Sequence, residues 1–221
     1  MALLRDEDRL ALEKEFSSLG KKVKLLFFTQ ELNCDYCPDA KRILDEVGAI
    51  SPNVAVREVN PALDGDTATR FGVDKIPAIV VTDEAETRAN VRFFGLPAGY
   101  EFMSLISAIL REGTDTVELS EETQAQVKAI DKPVHIQVFV TPSCPYCPSA
   151  VVIGQQMARL NPNITADMVE ATEFPDLSRK YRVMGVPRVV INETTHFEGA
   201  QPEAAYLAQV LKAANQATVT N

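Results

Sequence analysis

One plan of strand, turn, Cys-x-x-Cys and helix is written twice into this chain, and that duplication constrains its fold more than any other feature. His135–Pro148 reads as an apolar strand, a short turn, a cysteine pair and the opening of a helix, and Val23–Pro38 repeats it. Each copy puts a tyrosine directly before the second cysteine (Tyr36, Tyr146) and a proline directly after it (Pro38, Pro148). The correspondence runs on past the motif. Cys34 and Cys144 are 110 positions apart, and so are Cys37 and Cys147, Phe71 and Tyr181, Val73 and Val183, and Pro77 and Pro187. In each half the first cysteine precedes the later proline by 43 residues. Chance matches one proline readily, but not this whole set.

Local patterning fills in the two copies. In the first, apolar positions at helical spacing over residues 1–19 end at Gly20. Strand Val23–Thr29, a helix to about Val47, strand Val54–Val59 and a short helix Asp66–Phe71 follow. Strands Ala78–Thr82 and Val91–Phe94 and a helix Tyr100–Arg111 complete it. In the second, Ser120 reads as an N-cap for a helix to about Ile130, with Glu121 and Glu122 in the first turn. Strand Val134–Val140, a helix to Leu160, strand Ala166–Ala171 and a short helix Leu177–Tyr181 come next. A hairpin Val189–Ile191 with Thr195–Phe197, a helix Glu203–Ala214 and a frayed end at 216–221 close the chain. The boundary falls in the polar stretch Glu112–Val117. This gives an α/β chain of two units, residues 1–117 and 118–221, each ordered helix–β–α–β–α–β–β–α around a mixed sheet.

Composition narrows the partners. With 46% hydrophobic and 24% charged residues, the 221-residue chain has the make-up of an ordinary globular protein. A net charge of −9 without a basic face argues against nucleic acid. The apolar runs are too short to span a bilayer, so no membrane role is expected. The charged N-terminus lacks the apolar stretch of a signal peptide, which places the chain in the cytoplasm. Structural disulfides are rare there, so the cysteine pairs read as redox or metal chemistry.

The two motifs use all four cysteines of the chain. At a strand-to-helix turn, unpaired backbone N–H groups and the helix dipole favour a thiolate on the first cysteine. The second lies within one turn, close enough to displace a substrate from a mixed disulfide. Cys34 and Cys144 are therefore the candidate nucleophiles, and Cys37 and Cys147 the resolving thiols. Asp35 and Asp39 flank the first pair, whereas Pro145 and Ser149 flank the second. Carboxylates oppose ionisation of a neighbouring thiol, so Cys144 is expected to be the more acidic nucleophile.

Cys144-Pro-Tyr-Cys147 resembles the active-site sequence of glutaredoxins, and each half is similar to a thioredoxin-fold unit. Two such units in tandem resemble the protein disulfide oxidoreductases of thermophilic bacteria and archaea, over essentially the whole chain. The resemblance implies reduction, oxidation or isomerisation of protein disulfides, with protein dithiols and disulfides as substrates and a thioredoxin reductase as the recharging partner. It also implies cis-prolines at Ile76-Pro77 and Val186-Pro187, facing the cysteines and offering backbone hydrogen bonds to substrate. No organic cofactor is implied, and no glycine-rich nucleotide loop is present; the redox-active disulfides do the chemistry.

The chain departs from thioredoxin itself in lacking tryptophan. Six residues before each first cysteine, where thioredoxins carry a buried acid, stand Phe28 and Val138. The proton acceptor for the resolving thiol is thus unassigned. Other readings stay open. A dedicated electron relay to a peroxide reductase would leave one unit silent. A glutathione-dependent glutaredoxin is favoured by Cys-Pro-Tyr-Cys but lacks the Lys expected just upstream. A zinc protein would usually hold its cysteine pairs about 15–20 residues apart, against 107 positions between Cys37 and Cys144. Tyr36 and Tyr146 read as packing over the active-site helix at least as readily as touching substrate. His135 and His196 read as surface or packing residues, Arg188 as a residue to steer acidic peptides, and Arg5–Arg9 and Asp83–Arg88 as solvated faces.

Overall fold

In the first half the sequence pattern is realised as α1 (Asp6–Phe16), β1 (Val23–Phe28), α2 (Cys37–Gly48), β2 (Val54–Val59), α3 (Gly65–Arg70), β3 (Ala78–Asp83), β4 (Val91–Phe94) and α4 (Glu101–Thr114). The second half is α5 (Glu121–Lys128), β5 (Val134–Val140), α6 (Cys147–Leu160), β6 (Ile164–Glu170), α7 (Pro175–Lys180), β7 (Arg188–Ile191), β8 (Thr195–Glu198) and α8 (Glu203–Gln216). The computed structural model describes residues 4–216. Of the expected frayed end, only Gln216 is described, and it closes α8; residues 217–221, like 1–3, lie outside the described residues.

The chain forms two compact units. One takes in residues up to Ala89, Phe93–Leu96 and Ile106–Thr116, and the other Asn90–Arg92, Pro97–Leu105 and Val117 onward. The division is therefore not a single cut: Asn90–Arg92 and the start of α4 count with the second unit.

In the first unit the strand order is β2-β1-β3-β4, with β1 parallel to β2 and antiparallel to β3. A strand paired on both sides and covered on both faces needs a continuous apolar run, and Leu25, Leu26, Phe27 and Phe28 are all fully buried. In the second the order is β6-β5-β7-β8, with β5 parallel to β6 and antiparallel to β7. Ile136, Val138, Phe139 and Val140 supply that core, with Tyr206 and Val210 of α8. Each such residue, fully buried, contributes about 1.5–3 kcal/mol. Gly154 lets α6 approach α8, since a Cβ there would lie 2.9 Å from the Tyr206 hydroxyl. The Ser120 side chain accepts from Thr123 N–H, capping α5 as its sequence position predicts.

The repeat carries a one-residue slip. Phe28 pairs with Ala78 across β1 and β3, while Phe139 pairs with Arg188 across β5 and β7. Hence β1 and β5 correspond at an offset of 111, whereas the cysteines and cis-prolines correspond at 110. The same match appears in the aromatic pairs Phe28–Phe71 and Phe139–Tyr181, with ring centroids 6.3 Å and 5.6 Å apart. The first unit therefore holds one more residue between strand and cysteine. Asn33 absorbs it in the left-handed region, at φ 58°, which Asn tolerates better than most residues. Counting back from the cysteine sets Phe28 opposite Val138; the sheet matches Phe28 with Phe139.

Candidate functional site

Both helices that follow the cysteine pairs begin at the second cysteine, one turn later than the sequence suggests, with Pro38 and Pro148 in the first turn. Proline fits there because its missing N–H would have no helical partner. Each pair is closed as a disulfide, Cys34–Cys37 and Cys144–Cys147, with Cα atoms 5.4 Å and 5.5 Å apart. The turns are held by backbone bonds from Cys37 N–H to Cys34 O at 3.4 Å and from Cys144 N–H to Thr141 O at 3.1 Å. Cys37 and Cys147 are buried, as is Cys144, while Cys34 is half-buried.

The peptide bonds Ile76–Pro77 and Val186–Pro187 are cis. Antiparallel register explains how they reach the cysteines' end of the sheet. Ala78, just after Pro77, faces Phe28 at the end of β1, and Arg188, just after Pro187, faces Phe139 near the end of β5. The proline carbonyls are already engaged, by Gly95 N–H at 2.9 Å and Gly199 N–H at 2.8 Å. Among the described residues, the N–H and C=O of Ile76 and Val186 bond to no other main-chain group.

The surroundings of the two dithiols differ. Beside Cys37 lies an open cleft of about 520 Å³, bordered by Gln30, Pro38, Asn60 and the Lys41–Glu58 ion pair. In the second unit, Tyr100 N–H donates to Pro142 O at 3.0 Å, two residues before Cys144, and Glu101 follows Tyr100 as the first residue of α4. Glu101 is 1% exposed, and neither carboxylate oxygen has a hydrogen-bond partner among the described residues. Burial pushes its carboxyl up to about 7, with nearby Ser104 pulling the other way. No sequence signal marked Glu101: an acid in the first turn of a helix is commonplace.

Several expected side chains behave otherwise than read. Tyr36 and Tyr146, at the N-caps of α2 and α6, are 43% and 68% exposed, so each keeps much of its side chain in solvent. Arg188 is held by Glu198 at 2.8 Å, so its charge is already matched. Glu86, within the supposedly solvated run Asp83–Arg88, pairs with Lys24 and Arg57 at 2.8 Å and 2.6 Å. His135, 40% exposed, joins a structural cluster around the buried Asp167 in the second unit, in keeping with its reading as a surface or packing residue. Asp167 bonds His135 Nε2 at 2.6 Å and Arg92 at 2.7 Å. Burial raises the Asp167 carboxyl, but the His135 hydrogen bond and the Arg92 charge outweigh it and hold it below the usual range. Among the described residues no group of three or more His, Cys, Asp or Glu side chains is placed to hold a metal ion. Nor is any described helix long and apolar enough to cross a membrane.

The fold and its paired disulfides have clear counterparts. A protein disulfide oxidoreductase from Aeropyrum pernix superposes with a TM-score of 0.87 at 30% identity, covering 96% of this chain and 94% of that one. The chain belongs to the thioredoxin-fold protein disulfide oxidoreductases. A thioredoxin-domain family model matches residues 134–212, within the second unit. The alkylhydroperoxide reductase component AhpF of Enterococcus faecalis gives a TM-score of 0.88 at 26% identity, covering 94% of this chain and 99% of that one. Among curated relatives, an alkyl hydroperoxide reductase component of Staphylococcus epidermidis is 28% identical over 158 residues, covering 72% of this chain and 28% of the relative. A Bacillus subtilis NADH dehydrogenase is 26% identical over 176 residues, covering 80% and 32%. The chain spans less than a third of either relative's length.

Proposed function

We propose that the protein exchanges disulfides with protein substrates through two dithiols, one in residues 1–117 and one in 118–221. Cys34 and Cys144 attack, and Cys37 and Cys147 resolve the mixed disulfides. Ile76 and Val186, each ahead of Pro77 or Pro187, lend their backbone groups to an extended substrate segment. A thioredoxin reductase re-reduces the dithiols in a cytoplasmic setting, and no organic cofactor takes part within this chain. The observation that carries the reading is the repeated arrangement itself: a closed cysteine pair at a helix start, beside a cis-proline at the same end of the sheet.

A second reading is favoured by the likeness to the alkyl hydroperoxide reductase components. Here the chain passes electrons to a peroxide reductase and to little else. Two intact cysteine pairs favour the general role, since a relay has use for one. Trapping separates the readings. With Cys147→Ser, reduced protein mixed with oxidised insulin is expected to accumulate a covalent adduct that dithiothreitol releases. Absence of an adduct with insulin, alongside one with a peroxide reductase disulfide, contradicts the general role.

A further inference from the structure

The rims of the two dithiols are built from opposite chemistry. At the second, Tyr146 is 68% and Met184 is 90% exposed, large apolar side chains left in water beside Cys144 and Pro187. Pro145 and Ser149 add no charge, and the loop from Tyr181 to Pro187 carries only the basic Arg182. At the first, the corresponding positions are charged. Asp74 stands where the second unit has Met184, Lys75 where it has Gly185, and Asp35 and Asp39 where it has Pro145 and Ser149. Lys75 Nζ lies 3.8 Å from the Phe94 ring centre and 2.5 Å from the Asp74 carboxylate, whose side chain stays 75% exposed, so the first rim presents a charged pair where the second presents Met184. Leu32 is also exposed, but it shares its site with three exposed carboxylates.

We propose that the two dithiols serve different partner surfaces, the second taking a disulfide flanked by apolar residues and the first one flanked by polar or basic residues, with Met184 and Asp74 the discriminating side chains. This rests on the thiol–disulfide reading above. The occupant of the rim is fixed by the reaction, because the attacked sulfur must reach Cys144 and its neighbouring residues must then lie along Tyr146 and Met184. Burying an apolar neighbour there removes both from water, and Met adapts its shape to varied partners. At the first rim, Asp74 leaves an apolar neighbour facing a carboxylate that contact would desolvate, which disfavours it. The chemistry is the same at both. The cysteine thiolate bonds one sulfur of the partner disulfide and expels the other as thiolate. The resolving thiolate then attacks the enzyme's half of the mixed disulfide and releases the second partner thiolate. Two electrons pass to the partner, whose thiolates take up protons, and the enzyme dithiol becomes a disulfide.

The test uses the full chain, pre-reduced with dithiothreitol and desalted. Its probes are two peptides whose single cysteine carries a thionitrobenzoate mixed disulfide, flanked by Leu in one and by Asp in the other. With the first dithiol removed (Cys34→Ser, Cys37→Ser), the Leu peptide is expected to release thionitrobenzoate at least about fivefold faster than the Asp peptide, the scale of burying one partial apolar side chain. Met184→Asp is expected to abolish that preference by slowing the Leu peptide selectively, and Met184→Gln to reduce it. Leu10→Asp, at a remote exposed position, is expected to change nothing. With the second dithiol removed, Asp74→Met is expected to raise the Leu-peptide rate. No preference at the second dithiol, or an equal slowing of both peptides by Met184→Asp and Met184→Gln, overturns the assignment while leaving the oxidoreductase reading intact. Failure of the wild-type chain to react with either peptide overturns both.

Discussion

Tyr100 N–H donates to Pro142 O at 3.0 Å, and a Cβ on the preceding Gly99 would lie only 2.1 Å from that same oxygen. Gly99 also sits at φ 59°, where a side chain is strained. The start of α4 is thereby pinned to the loop that presents Cys144. Gly99→Ala is expected to push that loop aside and to destabilise the protein by about 1–3 kcal/mol. Thermal melting reads the loss. Alkylation of the reduced protein is expected to show an altered rate at Cys144 and an unaltered one at Cys34.

Glu101, the residue after Tyr100, makes stability depend on pH. Its carboxyl ordinarily titrates near 4.5 and is raised to about 7 in the folded chain. The folded state therefore binds the proton more tightly than the unfolded one, and stability falls as pH rises from about 4.5 to 7. A shift of that size amounts to about 3 kcal/mol. Glu101→Gln is expected to flatten this slope and to raise the melting temperature above neutral pH. A variant that melts like wild type across the range contradicts the burial argument.

The acidity of the two nucleophiles is the next difference. Asp35 and Asp39 crowd the first pair; Asp39 is partly offset by Arg42 at 3.2 Å. Exposed charges are screened, so the effect is modest but signed. Iodoacetamide alkylation against pH is expected to give Cys144 the lower midpoint, and Asp35→Asn is expected to move Cys34 toward it. Equal or reversed midpoints contradict the charge argument.

Asp167 anchors a structural cluster, not a redox one. Its side chain is 1% exposed and serves both Arg92 and His135. Asp167→Asn removes the negative charge that matches Arg92, and removing one charge of a buried pair costs about 3–5 kcal/mol. Denaturant titration is expected to show that loss. Because the Asp167 carboxyl is lowered in the fold, its contribution is present at neutral pH and fades on acidification below the normal carboxylate range.

Much of this architecture is legible in the chain itself. The strands β1 and β5 can be read because central strands need unbroken apolar runs, and Ser120 because a cap acts on its own next turn. The cysteines and the prolines at 77 and 187 stand out through their shared spacing. What cannot be read depends on distant partners. Glu101 looks like any first-turn acid until the fold buries it near Pro142, 41 positions away in sequence. Asp167 looks like a strand polar residue until Arg92, 75 positions off, arrives. The one-residue slip stays hidden because counting from cysteines fixes the loop, whereas hydrogen bonding fixes the strand.

Dithiothreitol-driven reduction of insulin by wild type, Cys34→Ser, Cys144→Ser and the double variant tests the central claim most directly. The account expects the double variant to be inactive, Cys34→Ser to keep much of the activity, and Cys144→Ser to lose most of it. A wild-type chain that leaves insulin oxidised, or a double variant as active as wild type, contradicts it.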